Sequence, residues 1–263
     1  MEMDWQERTR LLLGEEAMEK LSKAHVLVVG LGGVGAYTAE QLCRSGIGAL
    51  SIVDGDQLHC TNLNRQLPAL ISTLGKGKAK VLGERFLDIH PNLKLNVYSE
   101  YVKDERMVEI LKAEPYDYVV DAIDTLSPKI YLLYHSVGLN LSVVSAMGAG
   151  GKLDPMQLKI ADISQTYACP LADALRKRLH KLGVYSGIQA VFSPEKVKED
   201  SVLLVEEEEN KKSMVGTVSY MPAIVGCMCA SVVIRELCGP KIVSNLPIPT
   251  IIKRKIAIQN ELK

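Results

Sequence analysis

The chain has 263 residues, 47% of them hydrophobic, so it is long enough to bury a substantial core and too apolar to be mainly disordered. Its 31 basic and 31 acidic residues give a formal net charge of zero, which excludes a whole-molecule field that would attract nucleic acid or an anionic membrane. Either partner would need a local patch. Six scattered cysteines and no signal peptide predict reduced thiols in a cytoplasmic protein, and the longest apolar run, 221–234, is too short for a transmembrane segment.

The first elements lead into a glycine-rich turn. Charged residues alternate with leucines over residues 3–22, which predicts two short amphipathic helices. A buried strand, His-Val-Leu-Val-Val, then runs directly into Gly30-x-Gly32-x-x-Gly35, and an amphipathic helix is predicted at 36–45. Such a turn binds phosphate, because its backbone N–H groups approach the anion and the helix points its positive end at it. The sequence therefore predicts a nucleotide site, against the alternative of a glycine turn without a ligand.

Strands alternate with helices through the rest of the first 150 residues. This alternation is typical of a doubly wound, Rossmann-like α/β fold, a mostly parallel sheet with helices on both faces. Residues 1–150 are therefore predicted to form a nucleotide-binding domain. Its further elements are strands at 49–53, 93–98, 116–122 and 141–146, helices at 78–89, 104–111 and 127–140, and an irregular polar segment at 57–73.

The pattern changes after Gly151, and residues 151–263 are predicted to form a smaller α+β C-terminal extension. Its predicted elements are short strands at 158–163 and 189–192, a basic helix at 170–182, a mobile solvated loop over the charged stretch 194–212, an apolar helix at 222–237 and a tail with three prolines.

Charged residues follow the second strand, at the sheet edge where open α/β sheets bind ligands. Asp54 ends that strand, where a carboxylate accepts hydrogen bonds from the ribose of either NAD or ATP. Arg65 lies in the polar segment beyond it, and Lys78 opens the next helix. Two cations beside a phosphate turn offset the charge that gathers during attack on the α-phosphorus of a triphosphate, and hydride transfer needs no such pair. The pattern favours ATP, although surface cations are also commonplace in a polar stretch.

Asp121 and Asp124 come at the end of the strand predicted at 116–122, on the same edge of the sheet. A carboxylate there can hold Mg²⁺ against the phosphates. In the alternative interpretation Asp124 caps the following helix or faces solvent, and Ser127 competes with it for that cap.

In this order and spacing, the motifs resemble the ubiquitin-activating-enzyme-like adenylating superfamily, with its ThiF and MoeB members, over about residues 5–150. They are the glycine turn, Asp54, Asn62-Leu-Asn-Arg-Gln66, Lys78 and Asp121-Ala-Ile-Asp124. A closer similarity, to about residue 238, is to the tRNA threonylcarbamoyladenosine dehydratase family, also called TcdA or CsdL. It is carried by Arg8-Thr-Arg-Leu-Leu-Leu-Gly-Glu-Glu16, Ser45-Gly-Ile-Gly48, Val120 to Asp124, Gly148 to Pro155 and Cys169-Pro-Leu-Ala172.

The resemblance implies ATP-dependent adenylation of a carboxylate with Mg²⁺, in a homodimer whose partner subunit supplies the arginine matching Arg8 to the γ-phosphate. By position it implies catalytic roles for Arg8, Arg65, Lys78 and Asp124, with Asp124 as the Mg²⁺ ligand. It implies nucleotide binding by Gly30, Gly32, Gly33, Gly35, Asp54, Asp56, Asn62, Arg65, Gln66, Lys78 and Asp124.

In the family resembled, the carboxylate is that of threonylcarbamoyladenosine beside the tRNA anticodon, and the ureido group of the same modification closes onto the activated carbonyl with net loss of water. The basic helix supplies the candidate tRNA contacts, since neutralising phosphates needs clustered Lys and Arg. A solvated charged face is the alternative. A cysteine desulfurase remains open as a sulfur-transfer partner. The candidate contacts are Arg176, Lys177, Arg178 and Lys181.

Two other functions stay open. One is adenylation of the C-terminal carboxylate of a small ubiquitin-like sulfur carrier, whose activators often hold zinc with two Cys-x-x-Cys pairs that this sequence lacks. Cys227 and Cys229 are interpreted as small core residues. Cys169 precedes the basic helix, whose N-terminus would lower a thiol pKa, or is an inert thiol. The other function is a module that holds nucleotide for regulation without turnover.

Overall fold

The computed structural model describes residues 5–204 and 213–239. Its strands are β1 (His25–Val29), β2 (Ala49–Val53), β3 (Lys94–Tyr98), β4 (Tyr118–Asp121), β5 (Ser142–Ala146), β6 (Lys159–Asp162), β7 (Gln189–Phe192), β8 (Val202–Leu204) and β9 (Ser213–Val215). Its helices are α1 (Glu7–Leu13), α2 (Glu15–Lys23), α3 (Gly35–Arg44), α4 (Lys78–Ile89), α5 (Asp104–Ala113), α6 (Leu126–Gly138), α7 (Pro170–Lys181) and α8 (Tyr220–Cys238).

Seven of the strands form one sheet in the order β3-β2-β1-β4-β5-β7-β6. All neighbours in this sheet are parallel except β6, which runs antiparallel to β7. The predicted α/β class with a mostly parallel sheet is confirmed. The strand order reverses beside β1, and the carboxyl ends of β1, β2 and β4 meet there because Val29 pairs with Val53 on one side and with Asp121 on the other. This reversal is where doubly wound sheets bind their ligands.

The core lies on both faces of the sheet. Alternate residues of β1 point to opposite sides, so Val26 and Val28 pack with residues of α2, α3, α4 and α8, whereas Leu27 and Val29 pack with residues of α5, α6 and α7. Every residue of β1 is buried. This two-sided burial explains why the strand reads as an unbroken apolar run rather than as an alternating pattern.

The residues after 150 continue the same sheet, because β7 pairs with β5 and β6 pairs with β7. Helix α8 packs against α3, α2, β5 and β7. Among the residues described, α8 alone is long and apolar enough to cross a membrane by length and composition. Its contacts make it a core helix here.

The prediction of a mobile loop over the charged stretch 194–212 is partly wrong. Strand β8, Val-Leu-Leu, lies within it and pairs antiparallel with β9, so a short ladder forms at an apolar run inside the charged stretch. Residues 205–212 of the loop and the proline-containing tail from 240 lie outside the described residues. The helix predicted at 127–140 begins one residue earlier, at Leu126, and its N-cap residue is Thr125, so Ser127 lies inside the helix rather than at its cap.

Candidate nucleotide site

The glycine turn joins β1 to α3 by packing that excludes larger residues at two positions. Gly30 has a φ of 89°, and a β-carbon there would lie 2.7 Å from the carbonyl oxygen of Ala122, beyond the end of β4. A β-carbon on Gly35 would lie 1.8 Å from the carbonyl oxygen of Gly30. These two glycines are therefore required by the fold itself, through the tight turn and the close approach of helix to strand.

Gly32 is different, because none of the residues that the structure describes requires a glycine there. The nearest atom to a β-carbon at this position would be Nε2 of Gln66, at 3.8 Å, and φ lies outside the left-handed region. Gln66 is buried, yet its Oε1 meets no hydrogen-bond donor from the residues that the structure describes. Buried polar atoms are normally paired. The turn therefore has open space at Gly32, called the open cradle below, beside the unpaired acceptor of Gln66.

Arg65 lies over the same turn. Its Cγ would be 3.4 Å from a β-carbon on Gly33, and its Nη1 donates to the carbonyl of Thr61 and to Oδ1 of Asn64, both at 2.9 Å. A guanidinium has five N–H donors, so these bonds orient the group and leave further donors for an anion.

Asn62 shapes the loop that presents Arg65. Its side chain is buried, and its Oδ1 accepts the backbone N–H of His59 at 3.0 Å. The carbonyl of Asn62 accepts the backbone N–H groups of both Arg65 and Gln66. Asn62 therefore fixes the course of the chain over the glycine turn.

Asp54 connects β2 to the glycine turn. Its carboxylate accepts the N–H of Leu31 at 2.6 Å and the N–H of Asp56 at 2.8 Å. Burial raises the pKa of Asp54, and the ammonium of Lys78 together with these two N–H groups opposes that rise. The carboxylate is thus held at the carboxyl end of β2, facing the turn.

Lys78 is a buried cation at the start of α4. Its side chain is 6% exposed, and its Nζ lies 2.6 Å from Oδ2 of Asp56. The hydroxyl of Tyr101 donates to the other oxygen of Asp56, and this bond raises the pKa of Tyr101 to about 12. Asp56, predicted as a nucleotide-binding residue, is the group that positions Lys78.

Asp121 and Lys129 form a second anchor at the end of β4. Their side chains are fully buried and their charged atoms lie 2.8 Å apart. Asp121 also accepts the hydroxyl of Ser145 at 2.6 Å and the N–H of Ile123 at 3.1 Å, while Lys129 donates to the carbonyl of Ile123 at 3.0 Å. The pair fixes the backbone that leads to Asp124. Sequence reasoning missed Lys129, whose one signal is a lysine within an otherwise apolar helix.

Asp124 is the exposed carboxylate of this segment. Over 5–204 and 213–239, no group of three or more His, Cys, Asp or Glu side chains could hold a metal ion by itself. A Mg²⁺ ion at this edge would therefore be of the kind held by one carboxylate, phosphate oxygens and water.

The structure gathers most of the predicted residues around the glycine turn and leaves Arg8 apart, on the exposed helix α1 that packs against α2. On α7, Arg176 is 19% exposed, donates to the carbonyl of Thr166 at 2.9 Å and pairs with Asp173. It holds the turn before α7, so the exposed cations of this helix are Lys177, Arg178 and Lys181.

The cysteines correct one interpretation. Cys229 is buried, which raises its pKa to about 12, but Cys227 is exposed rather than a core residue, because positions two apart on a helix point in different directions. Cys169 is buried directly before α7.

The family model described as the ThiF family matches residues 6–257. The tRNA threonylcarbamoyladenosine dehydratase of Bacillus subtilis is 35% identical over 237 residues, which cover 88% of this chain and 93% of the relative. The enzyme of that name from Escherichia coli is 38% identical over 201 residues, covering 73% and 75%. The crystal structure of E. coli tRNA N6-threonylcarbamoyladenosine dehydratase, TcdA, in complex with ATP superposes with a TM-score of 0.80 at 33% identity, covering 89% of this chain and 95% of that one.

Proposed function

Because this chain belongs to the ThiF family and, within it, to the tRNA threonylcarbamoyladenosine dehydratases, we propose that its site adenylates the carboxylate of threonylcarbamoyladenosine in tRNA. A carboxylate is a poor acyl donor, because its leaving group would be oxide. Attack of a carboxylate oxygen on the α-phosphorus of ATP gives an acyl-adenylate and releases pyrophosphate. The ureido group of the same modification then attacks the activated carbonyl and AMP leaves, so the cyclic product has lost one water.

The open cradle at Gly32 is the observation that carries this proposal. The fold does not need a glycine there, and the neighbouring Oε1 of Gln66 has no donor within the described part of the chain. Bound ATP supplies a reason for both features, because its phosphates need close approach to backbone N–H groups and its hydroxyl and amino groups can donate.

Each neighbouring side chain has a role in this scheme. Asp54 accepts the ribose hydroxyls, and its position is fixed by its bonds to the N–H groups of Leu31 and Asp56. Arg65 and Lys78 offset the negative charge that gathers on the α-phosphorus and the pyrophosphate during attack. Lys78 is suited to this because the protein, rather than solvent, surrounds it.

Mg²⁺ would be held by Asp124 together with phosphate oxygens and water. When bound, it would neutralise phosphate charge and help to orient the triphosphate. Asp121 accepts the N–H of Ile123 and Lys129 donates to its carbonyl. These two hydrogen bonds fix the start of the segment that carries Asp124.

A homodimer completes the proposal, with Arg8 reaching the γ-phosphate of the partner subunit. Helix α1 buries none of its residues, and even its apolar side chains are open to solvent: Leu11 is 81% exposed and Leu12 is 83% exposed. Arg8 lies three and four positions before these leucines, so all three share one face of the helix. A second copy that covers the leucines would carry Arg8 with them into the interface.

For tRNA, we propose contacts by the exposed Lys177, Arg178 and Lys181 of α7, and we propose a cytoplasmic location for the protein. A sulfur-transfer partner of the cysteine desulfurase class remains a prediction.

The experiment incubates the full chain with ATP, Mg²⁺ and tRNA that carries threonylcarbamoyladenosine, followed by mild nucleoside digestion and mass spectrometry. A nucleoside lighter by one water that forms only with ATP is the expected result. An unchanged nucleoside together with continued ATP–pyrophosphate exchange would overturn the proposal and favour the carboxylate of a small carrier protein as substrate.

A further inference from the structure

A surface cavity of about 260 Å³ lies beyond the carboxyl ends of β5 and β7. Its walls come from three segments: the loop after β5, the loop after β7 and the stretch that leads from β9 to α8. Each wall contributes residues that the roles above leave unassigned. The cavity is lined by Gly151, Lys152, Leu153, Glu195, Lys196, Lys198, Ser201, Gly216, Thr217 and Val218.

One wall of this cavity is shared with the nucleotide site. Asn64, beside Arg65, donates from Nδ2 to the carbonyl of Thr217 at 3.4 Å. A few residues along the chain, Pro222 lies so close to the glycine turn that a β-carbon on Gly33 would be 3.0 Å from its Cβ. The stretch from Thr217 to Pro222 therefore has the cavity on one side and the turn on the other.

Lysines outnumber acidic residues among the described residues that line the cavity. Glu195, the acidic residue of that set, already accepts the backbone N–H groups of Leu153 and Asp154 through its carboxylate. Lys152 is buried and donates to the carbonyl of Glu195. Lys196 and Lys198 line the cavity and are exposed, so two ammonium groups are presented to an incoming anion.

Thr217, one of the residues that line the cavity, has a hydroxyl without a partner among the described residues. The Oγ1 of Thr217 is buried, and no hydrogen-bonding group from 5–204 or 213–239 reaches it. The apolar side chains of Leu153 and Val218 stand on the same walls. Mostly apolar walls with a small number of polar groups are typical of a small-molecule site, and the cations nearby favour a ligand that bears negative charge.

We propose that this cavity receives the substrate nucleoside of the tRNA, with the modified purine against Leu153 and Val218, a hydrogen bond to Thr217, and flanking phosphates on Lys196 and Lys198. This assignment rests on the proposed function and names the acceptor side of the same site. Nucleotides in RNA loops are recognised in this way, because an unstacked base can be turned into a pocket while the backbone stays outside. The shared wall then brings the carboxylate of the modification towards the ATP.

The test uses an anticodon stem-loop with threonylcarbamoyladenosine, and the same stem-loop with plain adenosine. We expect K196A/K198A to weaken binding of both and to reduce the slope of log affinity against log salt by about 1.4, since two single-strand phosphate contacts are lost. The matched control K94A/K112A removes two exposed lysines, on β3 and on α5, that do not line the cavity, and it should leave the slope unchanged.

Two further variants address the cavity itself. T217V keeps the shape of the side chain but removes the hydroxyl, and it should weaken binding of the modified stem-loop roughly five-fold, as expected for one lost hydrogen bond. V218W fills the cavity and should abolish the preference for the modified over the plain stem-loop. ATP affinity, measured by calorimetry, should stay at the wild-type value in K196A/K198A and in T217V, because neither changes the shape of the wall shared with the nucleotide site.

The outcomes separate this inference from the proposed function. A wild-type chain that leaves the modified nucleoside unchanged in the presence of ATP overturns both. Wild-type conversion together with an unchanged salt slope in K196A/K198A, or an unchanged preference in V218W, overturns the cavity assignment alone.

Discussion

Lys129 and Asp121 form an ion pair with 2.8 Å between their charged atoms, in which both side chains are fully buried. Together they hold the N–H and the carbonyl of Ile123. We expect K129M to lower the free energy of unfolding by about 3–5 kcal/mol, because it leaves the carboxylate of Asp121 buried without its cation. Burial already raises the pKa of Asp121 and Lys129 opposes that rise, so the variant should take up a proton there. Urea denaturation measures the loss.

The double variant D121N/K129M is the control for this pair. It removes both charges, so its loss of stability should be smaller than that of K129M. A K129M chain that unfolds at the wild-type urea concentration would show that the pair does not stabilise the fold.

The glycine turn allows folding and ligand binding to be separated by two substitutions. A methyl group at Gly32 meets no protein atom nearer than 3.8 Å, so G32A should keep wild-type stability to within about 0.5 kcal/mol and weaken ATP binding by about ten-fold or more. A methyl group at Gly35 would be 1.8 Å from the carbonyl of Gly30, so G35A should lose about 3 kcal/mol or more. Thermal unfolding and ATP titration test both, and unaltered ATP affinity in G32A would contradict a phosphate cradle at this position.

The two cations of the site should act on the chemical step. R65A and K78A are each expected to lower ATP–pyrophosphate exchange, measured with the modified tRNA as carboxylate donor, by about 100- to 1,000-fold, because each removes a fixed positive group from the transition state. R106A is the matched control, since Arg106 is exposed and paired with Glu100 and Glu109. Exchange that survives both R65A and K78A would mean that the triphosphate site lies elsewhere.

Much of this site could be predicted from sequence, because its signals are local. The strand before Gly30, the glycine spacing and the helix after it are read within twenty residues, and Asp54 follows at the next strand end. Lys129 was missed because its partner Asp121 is brought to it by tertiary packing, which no short pattern records.

The C-terminal elements show the same limit. The strands at 159–162 and 189–192 could be predicted as elements, but their positions in the sheet depend on pairing across it. Strand β8 was not predicted, because its three apolar residues form too short a run to indicate a strand within a stretch dominated by charged residues. The cavity at Thr217 could not be predicted, since its walls come from three separate segments.

Asp54 should make ATP binding depend on pH. Burial raises its pKa, so the carboxylate takes up a proton at a higher pH than an ordinary Asp, and ATP affinity should fall as the pH drops through that raised value. The free energy of unfolding should depend on pH in the opposite direction. Because the pKa of Asp54 is higher in the folded chain than in the unfolded chain, its contribution to stability is fully present below the pKa of the unfolded chain. That contribution is lost as the pH rises through the pKa of the folded chain. D54N should weaken ATP binding by about 10- to 100-fold and flatten the profile, whereas D88N, at an exposed position on α4, should change neither. A D54N chain with the wild-type profile would remove Asp54 from the ribose site.

Arg8 and Leu12 test the dimer. L12E places a charge on the exposed apolar face of α1, so light scattering should show half the wild-type mass and turnover should fall with it. R8A should keep the dimer and lower turnover about 100-fold, because only a charge beside the leaving pyrophosphate is removed.

Mixing two inactive chains decides whether Arg8 acts across the interface. After exchange of subunits between R8A and K78A, half of the dimers are mixed, and each mixed dimer has one site with Lys78 from one chain and Arg8 from the other. Activity should therefore recover to about 25% of the wild-type value if Arg8 acts on the partner. If Arg8 acts within its own chain, every site in the mixture lacks one of the two cations and activity should stay at the level of the separate variants. That second result, with subunit exchange verified by mass spectrometry, would contradict an arginine supplied in trans.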